Sequence, residues 1–469
     1  MSRARAVLSR RRLQLGGAVR IRRAACAGIA GGGERGRSRP TVRLNRSLRK
    51  AVIIGLGAAV AVYLYYTEIK PVVIFGLRSD YAHAIPYQKV PEGIDSLRAE
   101  SCGTCHREIY EEWKASIHAQ AFVDPFFQAY WKRDGNIWVC LNCHTPLENQ
   151  QPTLIKEIPR GRVERAVQEP NPHYDAAYQK EAITCAACHV RDGVILGPYD
   201  DSVAPHPTKF DPSFRTTQVC YRCHNVQSGP AQFYNVGPCG TYAEYEGRYF
   251  MQERGMICQS CHMPEVERPV AQGAPIRQGR RHLWRGGHDP DMIRQAVAVD
   301  VRADPPSPKA GDLVRVGLTL INAGAGHKIP TGDPDRHVTV EFRVEDRHGR
   351  VLDRQTDTMG RWILWQPVVL EVFDNRLLPL ASRDYSFSYQ LPAAEPAPLL
   401  KIRVTYHILT EDQHEWLRDK YGLTGNEPYA FTIYERTLPL SSDLAKAISE
   451  LEPDPRLNCT AGTAGPHTS

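Results

Sequence analysis

Acidic side chains are nearly missing from the first fifty positions, which hold one of the chain's 52 Asp and Glu against 15 of its 59 Lys and Arg. The rest carries 44 basic and 51 acidic residues, so the net charge of +7 is a basic tail joined to an acidic body. That balance gives no support to nucleic-acid binding by the chain as a whole. Long apolar runs are also lacking, with one exception: Ala51 to Tyr66 reads AVIIGLGAAVAVYLYY, and no charge follows until Glu68. One spanning helix fits this run, with Lys50 snorkelling at one end and Tyr63, Tyr65 and Tyr66 suited to the interface at the other. Small residues of the kind that mark a signal-peptide cleavage site do not follow it, so an uncleaved anchor is favoured over a removed signal. The Arg-rich flank then stays in the cytoplasm, and residues from about 70 onward lie across the inner membrane on the periplasmic side. Residues 1–48 resemble neither a packed domain nor a compact targeting signal, and a start further along the chain is one reading of them.

Cysteine, by contrast, is patterned. Ten of the 13 cysteines form five pairs, each followed at once by histidine. The sets are Cys102, Cys105 and His106; Cys140, Cys143 and His144; Cys185, Cys188 and His189; Cys220, Cys223 and His224; and Cys258, Cys261 and His262. In Cys-x-x-Cys-His the two thiols add to the vinyl groups of one haem while the histidine reaches its iron. Zinc binding or disulfides would suit a single pair. Neither requires histidine in that place five times over in a chain with only 17 histidines. Five c-type haems are therefore expected. Of the remaining cysteines, Cys239 and Cys459 could join in an oxidising compartment, although unpaired thiols are the simpler reading, and Cys26 lies in the basic tail.

The first cysteines of successive sets are 38, 45, 35 and 38 residues apart, too little chain per haem for a large conventional core. Helix spacing of Tyr110, Trp113, Ile117 and Ala121 predicts a helix within 107–131, and the proline-bearing stretch 150–180 reads as a loop over the haems. No Cys-x-x-Cys-His occurs beyond about 295, where apolar and polar residues alternate in 297–303, 313–321, 338–344, 385–391 and 400–409. Period two in short runs predicts an antiparallel β-sandwich. The expected fold is α+β: a basic tail (1–50), an anchor (51–68), a linker (69–100), a mainly helical and irregular pentahaem domain (101–294), an all-β sandwich-like domain (295–440) and a flexible tail (441–469).

Five irons held by five histidines leave five further positions. A second histidine saturates the iron for electron transfer, whereas an open position admits a substrate. His118 follows His106 by twelve residues, and His206 stands in the rigid Pro205-His206-Pro207. His282 and His288 flank Trp284 and two glycines, and His327 sits in the glycine-rich AGAGHKIPTGDP. These five are the expected distal ligands. His83, His173, His337, His348, His407, His414 and His467 read as surface or strand histidines, and Met263 is badly placed beside His262.

The segments SCGTCHREIYEEWKASIHAQAF (101–122), CLNCHTPLENQ (140–150), ITCAACHVRDGVILGP (183–198), APHP (204–207), ICQSCHMP (257–264) and RHLWRGGHDPDM (281–292) resemble the multihaem cytochromes c related to the tetrahaem electron acceptor of hydroxylamine oxidation. NAGAGHKIPTGDPDRHVTVEFRV (322–344) looks like the β-rich module joined to some of them. The resemblance implies closely packed haems, mostly with paired histidines, and electron relay; a fifth site and a separate β domain depart from the tetrahaem pattern. A membrane-anchored electron carrier is the expectation, served by a quinol-linked membrane donor or other redox proteins. A multihaem oxidoreductase acting on a small nitrogen or sulfur compound is the alternative, with Lys328, Arg336 and Tyr234 as candidate substrate groups. A third reading is a subunit that wires other cytochromes into a complex.

Overall fold

The computed structural model describes residues 45–65, 77–79, 81–226, 240–246, 255–364, 370–393 and 397–450. Cys26, Tyr234, Cys239, Cys459 and His467 lie outside them. The chain divides into Met1–Glu68 and Ile69–Ser469. In the first unit, α1 (Arg46–Leu64) opens where the Asn45 side chain accepts from Ser47 N at 3.2 Å. Its 19 residues extend for about 28 Å at 1.5 Å each, close to the thickness of a bilayer's hydrocarbon core. Among the described residues it is the one helix long and apolar enough to cross a membrane by length and composition.

The second unit mixes short helices with strands. Where one helix is expected within 107–131, three short ones occur: α2 (Arg107–Lys114), Ile117–Gln120 and α3 (Pro125–Arg133). Asp124 caps α3 by accepting from Phe127 N at 2.8 Å, and Pro125, which cannot continue a preceding helix, begins it. The stretch 150–180 is more ordered than a loop, since Thr153–Glu157 pairs antiparallel with Val167–Pro170. Asp289 then caps α4 (Pro290–Ala296), which leads directly into the strands.

Seven strands form a two-sheet sandwich: β1 (Val297–Asp304), β2 (Leu313–Asn322), β3 (His337–Glu345), β4 (Val351–Met359), β5 (Ser382–Gln390), β6 (Leu399–His407) and β7 (Ala430–Pro439). One sheet has the order β5-β2-β1 and the other β4-β3-β6-β7, all antiparallel. Alternation sends Val314, Val316, Leu318 and Leu320 of β2 inward against Val338, Val340, Phe342 and Val344 of β3 and Leu400, Ile402 and Val404 of β6. Phe342 and Phe387 stack between the sheets with centroids 5.6 Å apart. Each such side chain contributes about 1.5–3 kcal/mol by leaving water. Phe126 and Ala129 of α3 enter the same core, beside Leu417 of α5 (Glu411–Tyr421). Chain that carries the haem motifs and chain that builds the sandwich therefore share one interior, and no unit boundary falls near residue 295. Beyond β7, the short helix Leu444–Ser449 closes the core with buried Leu444, so the expected flexible tail is packed at its start.

His337 and His407 face each other across β3 and β6, their rings parallel within 4° and 4.4 Å apart. Burial, and then its neighbour His337, pushes His407 down from 6.5 to about 4; burial lowers His337 as well. In the range between those values the unfolded chain takes up protons that the folded pair refuses. Stability from the pair is thus full above about pH 6.5 and is lost as pH falls towards about 4. The melting temperature is expected to drop between about pH 7 and pH 5, and to drop less in His407→Gln; equal drops in both proteins would refute the assignment.

Candidate functional site

Each Cys-x-x-Cys-His set lies on or beside a short helix, where one turn brings the two cysteines to the same side. The helices are Ala99–Gly103, Leu141–His144, Cys185–His189, Gln218–His224 and Cys258–His262. All ten thiols are free of disulfides. Four of the five histidines are oriented through Nδ1 by a backbone carbonyl: His106 by Val270 O at 2.6 Å, His144 by Ala121 O at 2.6 Å, His189 by Leu196 O at 2.8 Å and His262 by Arg285 O at 2.5 Å. That contact selects the tautomer that presents Nε2 as a ligand, as in metal-bound histidines generally.

Opposite these rings stand histidines from elsewhere in the chain. Centroid separations are 6.5 Å for His106 and His206, and 6.3 Å for His224 with His118, His189 with His282 and His262 with His327. Two imidazoles that ligate one metal from opposite sides, through bonds of about 2.0 Å, have centroids roughly 6 Å apart. All four separations fit a bis-histidine iron and are too long for direct imidazole stacking. Burial lowers His118 to about 3 and His144, His224 and His282 each to about 4, so the rings are neutral and their lone pairs free to bind metal.

His144 differs. Phe127 stacks on its face at 3.7 Å, and among the described residues no histidine ring stands opposite it. His288, expected as a distal ligand, instead has its ring 6.5 Å from Phe126. It precedes Asp289, whose capping of α4 fixes the local backbone, and the adjoining Gly287 is closely approached by Arg336 and Tyr406. Of the other expected substrate groups, Lys328 is paired with Asp374 at 2.7 Å and Arg336 donates to Thr331 O at 3.1 Å.

The sites adjoin one another. Thiol contacts link Cys102 with Cys185, Cys143 with Cys223 and Cys220 with Cys258. Trp284 lies 4.7 Å from His118 and 5.0 Å from His282, between the third and fourth pairs. The fourth site therefore borders the second, third and fifth. Long-range polar contacts that leave no local sequence pattern hold this arrangement. Arg268 bonds Glu112 through two nitrogens, at 2.8 and 2.6 Å, and Glu112 also accepts from His282 N at 2.9 Å. Burial opposes the Glu112 charge, but Arg268 and the His282 amide outweigh it and keep the carboxyl below its ordinary range.

No family model matches the chain, and no curated protein does. Among solved structures the chain is similar to a penta-haem cytochrome c552 from Thermochromatium tepidum, with a TM-score of 0.55 and 19% identity over 73% of this chain and 98% of that one. The fold is thus that of a multihaem cytochrome c. Two partial likenesses are too distant to bear on function. They are a β-glucuronidase of Bacteroides uniformis (TM-score 0.17, 7% identity, 30% of this chain and 13% of that chain) and the CARDB domain of PF1109 from Pyrococcus furiosus (0.15, 13%, 30% and 91%).

Replacing Arg268 by methionine leaves Glu112 charged and half-enclosed. The expected loss of unfolding free energy in urea is about 3–5 kcal/mol, as for other broken buried pairs. A loss below about 1 kcal/mol would class the pair with ordinary surface bridges.

Proposed function

We propose that the protein is a membrane-anchored c-type cytochrome that relays electrons along five covalently bound haems. The observation that carries this reading is the set of four histidine pairs at 6.3–6.5 Å, each including one Cys-x-x-Cys-His histidine. Fold likeness to a penta-haem cytochrome supports the number five. When bound, haem supplies a reversible one-electron couple. The chain's own residues do the rest. Cysteine pairs would tether the haems, the four pairs of facing imidazoles would hold the metal from both sides, and contacts between neighbouring sets would keep the sites close enough to exchange electrons.

The Arg-rich flank of α1 supports an inner-membrane anchor with the haem sites on the periplasmic side. A quinol-linked membrane donor and redox-protein partners follow from that location. Because the chain beyond residue 50 is acidic, it favours a basic partner face and association that weakens with salt. Kinship with the tetrahaem acceptor of hydroxylamine oxidation rests on the motifs alone.

His144 favours a second role. Its ring is covered by Phe127 at 3.7 Å, where four other motif histidines face a second imidazole, and metal held there with a free position would admit a small ligand, as a multihaem oxidoreductase acting on a nitrogen or sulfur compound requires.

Haem quantification of the purified protein is expected to return five covalent haems per chain. Its oxidised electron paramagnetic resonance spectrum should hold four low-spin signals and one high-spin signal that shifts with cyanide or nitrite. Five low-spin irons indifferent to ligand would remove the second role, and fewer than five haems would overturn the relay.

A further inference from the structure

An enclosed charged network outside the haem motifs surrounds the turn that carries His327. Asn322, fully buried, donates from Nδ2 to His327 O at 2.8 Å. The other end of the same peptide, Lys328 N, donates to Glu244 Oε2 at 3.2 Å. Glu244 belongs to the helix Thr241–Glu246, between the fourth and fifth haem motifs, so the peptide after His327 is clamped from both sides. The same carboxylate accepts from Thr331 Oγ1 at 2.7 Å and from Arg376 at 2.7 Å. Arg376 in turn bonds Asp374 at 2.9 and 2.8 Å, and Lys328 Nζ meets Asp374 at 2.7 Å. Side-chain exposure is 6% for Arg376, 11% for Asp374 and 13% for Glu244, so water screens these charges little. The turn is approached closely elsewhere too: a Cβ on Gly324 would lie 2.4 Å from Gln295 O, a clash with backbone. His327 Nδ1 completes the turn on Lys328 O at 2.9 Å.

Resting on the haem reading above, we propose that Glu244 is the positioning residue for the fifth site: it fixes His327 opposite His262 and holds a negative charge beside that imidazole. Two effects follow from the one carboxylate. Geometrically, the clamp aims a ligand borne on a turn at a metal held by another part of the chain. Electrostatically, a buried anion favours the more positive, oxidised state of that metal and lowers its potential.

The test uses the full haem-loaded protein, with His327→Ala identifying the spectral component that belongs to the fifth site. Glu244→Ala should convert that component alone from low-spin to high-spin and let it bind cyanide. Glu244→Gln keeps an acceptor for Lys328 N and Thr331 but removes the charge; it should stay low-spin while the potential of that one component rises. Wild-type spectra and potentials in both variants would overturn the proposal, with the haem reading intact. Failure of Glu244→Ala to mature, together with an unshifted potential in Glu244→Gln, would also overturn it, because a merely structural carboxylate predicts that pair of results. Wild-type protein without covalent haem would overturn the functional reading and this inference with it.

Discussion

The constraint that ties the haem-motif region together is the facing of four pairs of imidazoles drawn from distant parts of the chain. The partners are 65 to 106 residues apart in sequence, and each pairing closes a long loop whose entropy must be offset. Local packing offers little help. The hydrophobic clusters there are small: one holds Ile85, Leu97, Leu147, Tyr178, Ala186, Ala187 and Val190, and the other holds Trp138, Val139 and Val163. On the proposed reading, a metal between each pair would supply what these clusters do not, and folding of this region would be coupled to attachment of the cofactor. The sandwich needs no such partner, since its two sheets bury a continuous core of their own.

The same burial that costs the imidazoles their charge prepares them as ligands. A protonated histidine cannot bind metal, and the removal of water around His118, His144, His224 and His282 is the first cause that disfavours protonation; neighbouring histidines add to it at His118, His224 and His282, as does Arg336 at His224. Backbone carbonyls then orient four of the Cys-x-x-Cys-His rings. Carbonyls suit this task because they cannot be deprotonated or displaced by a change of pH. Side-chain carboxylates appear one step further out, at Glu112 beside the amide of His282 and at Glu244 beside the peptide after His327.

Much of this was legible in the sequence, and what was not has a common cause. Covalent attachment requires cysteines and histidine at fixed short spacing, so those residues announce themselves. Period-two alternation likewise marked five strands, since those strands have one face in the core. β4 and β7 escaped: β4 is largely exposed and β7 has a single buried residue, so nothing forces alternating apolar side chains onto them. The distal histidines were visible only as candidates, His118 on an expected helix and the others in rigid or glycine-rich turns, and that signal does not say which ring a histidine faces; for His288 the ring contact described is Phe126. Glu112, Glu244, Asn322, Arg268 and Arg376 carried no signal at all. Their partners are brought to them by the tertiary fold, and a single charged residue on a short helix looks the same whether it caps a ligand or faces water.

The order of contacts between sites differs from their order in the chain, and this bears on how electrons would move. Thiol contacts join the first site to the third, the second to the fourth and the fourth to the fifth, while Trp284 links the third and fourth pairs. On the proposed reading, a path from the first to the fifth would run through the third and fourth and leave the second, whose His144 is covered by Phe127, as a side branch. At the far end, His327, which faces His262, sits in the turn between β2 and β3, so on the proposed reading the sandwich would share in holding the terminal site.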